Sequence, residues 1–236
     1  MHTTTMFSLL RRGAAMLQAG LAGLLVCGVG AAWAGFITTN EAGLDSIFAQ
    51  SGFGSQTIDA RFNAGRSVAN TALLSIDSDA EFNSLFSLPV YSLPATINMF
   101  FVDTITFCGT GGNFIGCASN SGNVIVLDSS WAANASFGTD LAAHELGHSL
   151  GLDHVTGSGT NLMNPIISTN FSLDAGQIAT ILNSSLVQTA AGGQRFLSVT
   201  PIAVVAAVPE PQIWVMLGVG LLGITGWVRR RKACTV

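Results

Sequence analysis

The chain opens and closes on uncharged apolar runs, residues 14–29 and 213–228, and between them the spacing of apolar positions changes from strand-like to helix-like. Residues 57–63 alternate apolar with polar, as a half-buried strand does. Residues 95–105, rich in Ile, Phe and Val, are the strongest strand candidate; 122–127 form a second compact apolar strand, and 114–118 suit a short strand between the two. Residues 40–51 fit a short helix or a loop. Asp77 is placed to cap a helix that carries Phe82, Leu85 and Phe86 on one side and ends by Pro89. Thr139 or Asp140 can cap a longer helix running to Leu150, which Gly151 would end in the left-handed conformation. Ser172 opens a last helix offering Leu173, Ile178, Ile181 and Leu182 for packing, and residues 188–208 read as either a return strand or a linker. Strands first and helices afterwards predict an α+β domain with the helices packed on one sheet.

The two terminal runs carry different flanks. The first follows Arg11-Arg12 and closes on Ala32-Trp33-Ala34 ahead of Gly35, which is the layout of a cleaved secretory signal peptide over residues 1–34. A retained anchor would not need the Ala-x-Ala ending. The second run leads directly into Arg229-Arg230-Arg231-Lys232. At about 1.5 Å per residue it approaches the thickness of a hydrocarbon core, so it predicts a transmembrane helix. The four cations would hold its end in the cytoplasm and place the preceding chain across the membrane.

Residues 35–208 then remain as one domain with a short linker at its end. Arg61, Arg66 and Arg195 face twelve of the chain's thirteen acidic residues there, a net charge of −9, which removes the cationic surface that nucleic acid requires. Cys27 falls in the signal peptide and Cys234 in the tail, leaving Cys108 and Cys117 in an oxidising compartment. They predict one disulfide around the glycine-rich residues 109–113.

Chemistry concentrates in residues 144–154. His144 and His148, four apart on a helix, present two imidazoles on one face, and Gly151 lets the chain turn so that His154 returns as a third ligand. Three nitrogen ligands with a fourth position open describe a catalytic zinc site rather than a structural one. Glu145, about 100° around the helix from His144, can reach a metal-activated water without ligating the ion. Of the four histidines in the chain, all except His2 occupy a ligand position.

This HExxHxxGxxH pattern, followed by Leu162-Met163-Asn164-Pro165, resembles the metzincin zinc metallopeptidases, and within them looks closest to the matrixin branch. The resemblance implies a zincin-like mixed twisted sheet with an active-site helix, a Met-turn in which Met163 is a hydrophobic floor, and a C-terminal helix. It also implies one catalytic Zn2+ and a protein or peptide substrate held along an edge strand, for which Phe114, Ile115, Gly116, Cys117 and Ala118 are the candidates. Val155, after the third histidine, matches no metzincin subfamily, no cysteine-switch propeptide is visible and no tyrosine follows Met163. Asp77-Ser78-Asp79 is too short a signal to claim calcium. At the other end, Val208-Pro209-Glu210-Pro211, the apolar run and the basic cluster resemble a PEP-CTERM sorting tail over residues 209–236. That resemblance implies export in a Gram-negative bacterium and processing by signal peptidase and an exosortase. The chain would be held transiently in the inner membrane by its tail and then released to the cell surface or extracellular matrix. The expected function is a surface-delivered zinc endopeptidase with Glu145 as general base; the alternative is a zinc-stapled matrix or adhesion protein without turnover.

Overall fold

A computed structural model describes residues 35–92, 95–167, 169 and 171–207. The expected signal peptide, transmembrane helix and sorting tail lie outside these residues, and among the described ones no helix is long and apolar enough to cross a membrane. In chain order the elements are α1 (Glu41–Phe48), β1 (Ile58–Phe62), β2 (Arg66–Ala69), β3 (Ser75–Ile76), α2 (Asp79–Ser84), β4 (Thr96–Val102), β5 (Thr104–Phe107), β6 (Gly111–Phe114) and β7 (Gly116–Ala118). There follow β8 (Val124–Asp128), α3 (Ser129–Ala132), α4 (Gly138–Ser149), α5 (Ala175–Leu182), β9 (Gln188–Thr189) and β10 (Arg195–Val205).

The main sheet has the order β1-β10-β4-β8-β7, with β2 and β9 also pairing β10. β1, β10, β4 and β8 are parallel, and β7 is an antiparallel edge on β8. Alternate residues of the central strands serve two cores. Ile97, Met99 and Phe101 of β4, with Ile125 and Leu127 of β8, meet Leu44, Phe48, Leu141, Leu146 and Ile181 from helices α1, α4 and α5. Phe100, Val102, Val124 and Val126 point the other way, onto Leu73, Ile76, Leu85 and Ile105. Burial on both faces explains why these strands read as continuous apolar runs. The architecture is the mixed α+β fold that the pattern predicts.

Several local expectations change. The long strand 95–105 breaks at Asp103, after which β5 joins a small second sheet of order β3-β5-β6. Residues 114–118 are not one strand: Phe114 ends β6 in the small sheet, and the chain crosses at Ile115 to enter the main sheet as β7. Ser78, not Asp77, caps α2 by accepting from the Glu81 N–H. Neither Thr139 nor Asp140 caps α4, which starts at Gly138 without a side-chain cap. Ser172 does not open α5 either; it bridges to Asn161, and Asp174 caps the helix in a reciprocal box with Gln177.

The largest difference is at residues 188–208, where β10 fills the middle of the main sheet. Pro201 is tolerated there because it falls between the end of β1, at Phe62 opposite Val199, and the start of β2, at Arg66 opposite Ile202. On that flank no ladder partner waits for its missing N–H. Gly35, buried at the start of the domain, donates to the Val204 carbonyl at 2.9 Å, and Ala207 donates to Thr71 Oγ1. These bonds tie both ends of the described domain, Gly35 and Ala207, to the fold.

Candidate active site

Helix α4 builds the site from the end of the chain's main sheet outward. It is buried along most of its length, with Leu141, Ala142, Ala143 and Leu146 in the core, so His144 and Glu145, themselves buried, stand on a rigid support. Its C-terminus closes in a Schellman turn: Gly151 has φ +97°, its N–H bonds the His148 carbonyl, and the Leu152 N–H bonds the Gly147 carbonyl, both at 2.9 Å. A residue with a Cβ would be strained at that φ. The same turn orients a ligand, because the Leu152 carbonyl accepts from Nδ1 of His148 at 2.8 Å.

Nδ1 of His144 is held in the same way, donating to the Leu162 carbonyl at 2.7 Å. A carbonyl can only accept, so both rings carry their proton on Nδ1 and present a bare Nε2. Nε2 of His154 lies 3.2 Å from Nε2 of His144 and 3.1 Å from that of His148. Two ligands about 2.0–2.1 Å from one zinc ion in a tetrahedron stand about 3.3 Å apart, so the donor set fits that ion. Burial pulls His144 down to about 4, and His148 below its ordinary value, which keeps both rings in the unprotonated form that a metal needs. Among the described residues these three histidines are the group able to hold a metal ion.

Glu145 is 5% exposed, and no hydrogen-bond donor reaches its carboxylate among the described residues. Burial pushes it up to about 8. It lines a cleft of about 720 Å³ together with all three histidines. Phe114, Ile115, Gly116 and Ala118 line that cleft too. Cys117 does not: its side chain turns into the second core, where it is joined to Cys108 with Cα atoms 5.7 Å apart. Trp131 and Phe137, with ring centroids 5.4 Å apart, and Pro165, Ile166 and Ile167 add apolar walls.

Met163 is fully buried beneath α4, its Sδ only 2.5 Å from the point where a Cβ on Gly147 would project. The turn that carries it is held by residues that motif reading does not single out. Asn161 accepts from the Met163 N–H through Oδ1 and exchanges two amide hydrogen bonds with Gln177, at 2.8 and 3.0 Å, inside the core. The capping signal Asp174-x-x-Gln177 was available in the sequence; its partner across the fold was not.

The family model of the M12B metallopeptidases, reprolysin-like, matches residues 38–155, half of the chain. It takes in α1 through the third histidine and stops short of Met163, α5 and β10. The PEP-CTERM protein-sorting motif matches residues 207–232, which marks a chain exported in Gram-negative bacteria. No curated protein matches the chain.

Proposed function

Because the chain belongs to the reprolysin-like M12B metallopeptidases, whose chemistry requires a catalytic metal, we propose that it is an exported zinc endopeptidase with Glu145 as its general base. The zinc ligands are His144, His148 and His154; the Leu162-Met163-Asn164-Pro165 turn, which looks closest to the matrixin branch, lies beyond the residues that the reprolysin-like model matches. The carrying observation is the convergence of the three Nε2 atoms of His144, His148 and His154 in a cleft beside a buried carboxylate that no donor reaches among the described residues. A zinc-stapled matrix protein would have no use for such a carboxylate.

Zinc held by three imidazoles supplies Lewis-acid polarisation of a scissile carbonyl and acidifies water. Glu145, as the carboxylate beside the three histidines, takes a proton from the attacking water and passes it to the leaving amine. The edge of β7 away from β8 has no ladder partner among the described residues, and an extended peptide can add to it by main-chain hydrogen bonds. Phe114, Trp131, Phe137 and Ile166 line the cleft, and neither lysine nor arginine does, so it suits substrates with large apolar side chains. Met163 serves as the floor under the ligand helix. The PEP-CTERM tail and signal peptide are removed on the way to the cell surface by an exosortase and signal peptidase.

The test is a peptide library incubated with processed protein whose zinc content has been measured. Cleavage that a chelator abolishes and zinc restores is the expected result. A folded protein with one zinc per chain that cleaves nothing would return the matrix-protein reading.

A further inference from the structure

Resting on that peptidase reading, we propose that Gly116 of β7 is the positioning residue for Glu145: its missing side chain leaves the space in which the carboxylate sits. A Cβ added at Gly116 would fall on Oε1 of Glu145 and stand 2.7 Å from Cδ and 2.8 Å from Cγ. The strand that offers its edge to substrate therefore also sets the place of the base.

Neither backbone is free to retreat. Gly116 is paired with Leu127 of β8, Ile115 before it accepts from the Asp128 N–H, and Cys117 after it is tied to Cys108. On the other side α4 is wedged into the core by Leu141 and Leu146. The movable group is the Glu145 side chain, and with no donor bonding its carboxylate among the described residues, packing alone decides where it rests. Gly116 is not chosen for backbone freedom, since it is absent from the positive-φ positions. Ala118, two residues on and lining the same cleft, carries its Cβ without this conflict. An alanine at 116 is thus compatible with the strand and incompatible with the carboxylate's position.

The experiment compares zinc-loaded parent, Gly116→Ala and, as a control, Gly111→Ala, whose added Cβ would meet nothing within 4 Å. Gly116→Ala is expected to keep its zinc and a KM within about twofold of the parent, and to lose about a hundredfold in kcat, the cost of misplacing a reacting group by about 1 Å. Gly111→Ala should match the parent. In a Glu145→Asp background, where the carboxylate is withdrawn by one methylene, Gly116→Ala should cost less than about tenfold. A second cycle needs no activity: Gly116→Ala should lower the melting temperature by a few degrees when Glu145 is present and leave it unchanged in Glu145→Ala. Additive melting shifts overturn the inference, as does a cleaving Gly116→Ala with parental kcat. A raised KM with kcat retained also overturns it, by making Gly116 a substrate contact only. If the zinc-loaded parent is inert, the peptidase reading falls, and the melting cycle still decides whether Gly116 positions Glu145.

Discussion

Nδ1 of His144 donates to the carbonyl of Leu162 at 2.7 Å, so the orientation of the first histidine is set by a turn eighteen residues later in the chain. That turn in turn depends on the Asn161–Gln177 amide pair. Asn161→Ala removes both the support of the Met163 N–H and the partner of a buried glutamine. It is expected to lower stability by about 1–3 kcal/mol for the groups left unpaired. Zinc affinity should fall about 10- to 100-fold, as for other groups that orient ligands. Chemical denaturation and competition with a zinc indicator measure the two effects.

Glu145→Gln keeps side-chain volume and removes the base. Because Glu145 is proposed to act on water and not to ligate, the variant should bind zinc as the parent does while peptide cleavage falls by at least about a hundredfold. Equal cleavage by the two proteins at equal zinc content would contradict the mechanism.

The metal-free domain should show opposed pH effects. His144, pulled down to about 4, binds its proton more readily when unfolded, so its contribution is lost as pH falls below about 6.5. Glu145, pushed up to about 8, stays protonated in the fold while the unfolded chain ionises near 4.3, so stability declines as pH rises towards about 8. Between about pH 6.5 and 8 only the second effect remains, worth about 2 kcal/mol at about 1.4 kcal/mol per unit. Urea titrations of chelated parent should show that decline, and chelated Glu145→Gln should not.

Replacing Cys108 and Cys117 with serine removes a crosslink closing a loop with a sequence separation of 9. The chain-entropy account gives a loss of about 2–3 kcal/mol. Since the bond holds β7 beside the cleft, peptide KM should rise with it. A denaturation midpoint unchanged from the parent would mean that the bond does not constrain the unfolded chain.

What the sequence determined by itself is what helix periodicity and a single turn can specify. Four-residue spacing puts His144 and His148 on one face, Gly151 reverses the chain, and His154 follows within reach; what comes from beyond this segment is the orientation of the His144 ring, set by Leu162. The disulfide was legible for a similar reason, with two cysteines alone in the exported domain. Tertiary structure decided the rest. Residues 188–208 read as either a return strand or a linker, and only pairing with β1, β2 and β4 places β10 at the centre of the sheet. Parallel neighbours are joined by no local turn, so nothing nearby in sequence announces them. The crossing at Ile115, the contact of Gly116 with Glu145 and the Asn161–Gln177 pair are likewise products of packing. Each depends on which surfaces meet after collapse, and residues far apart in the chain carry no spacing that records it.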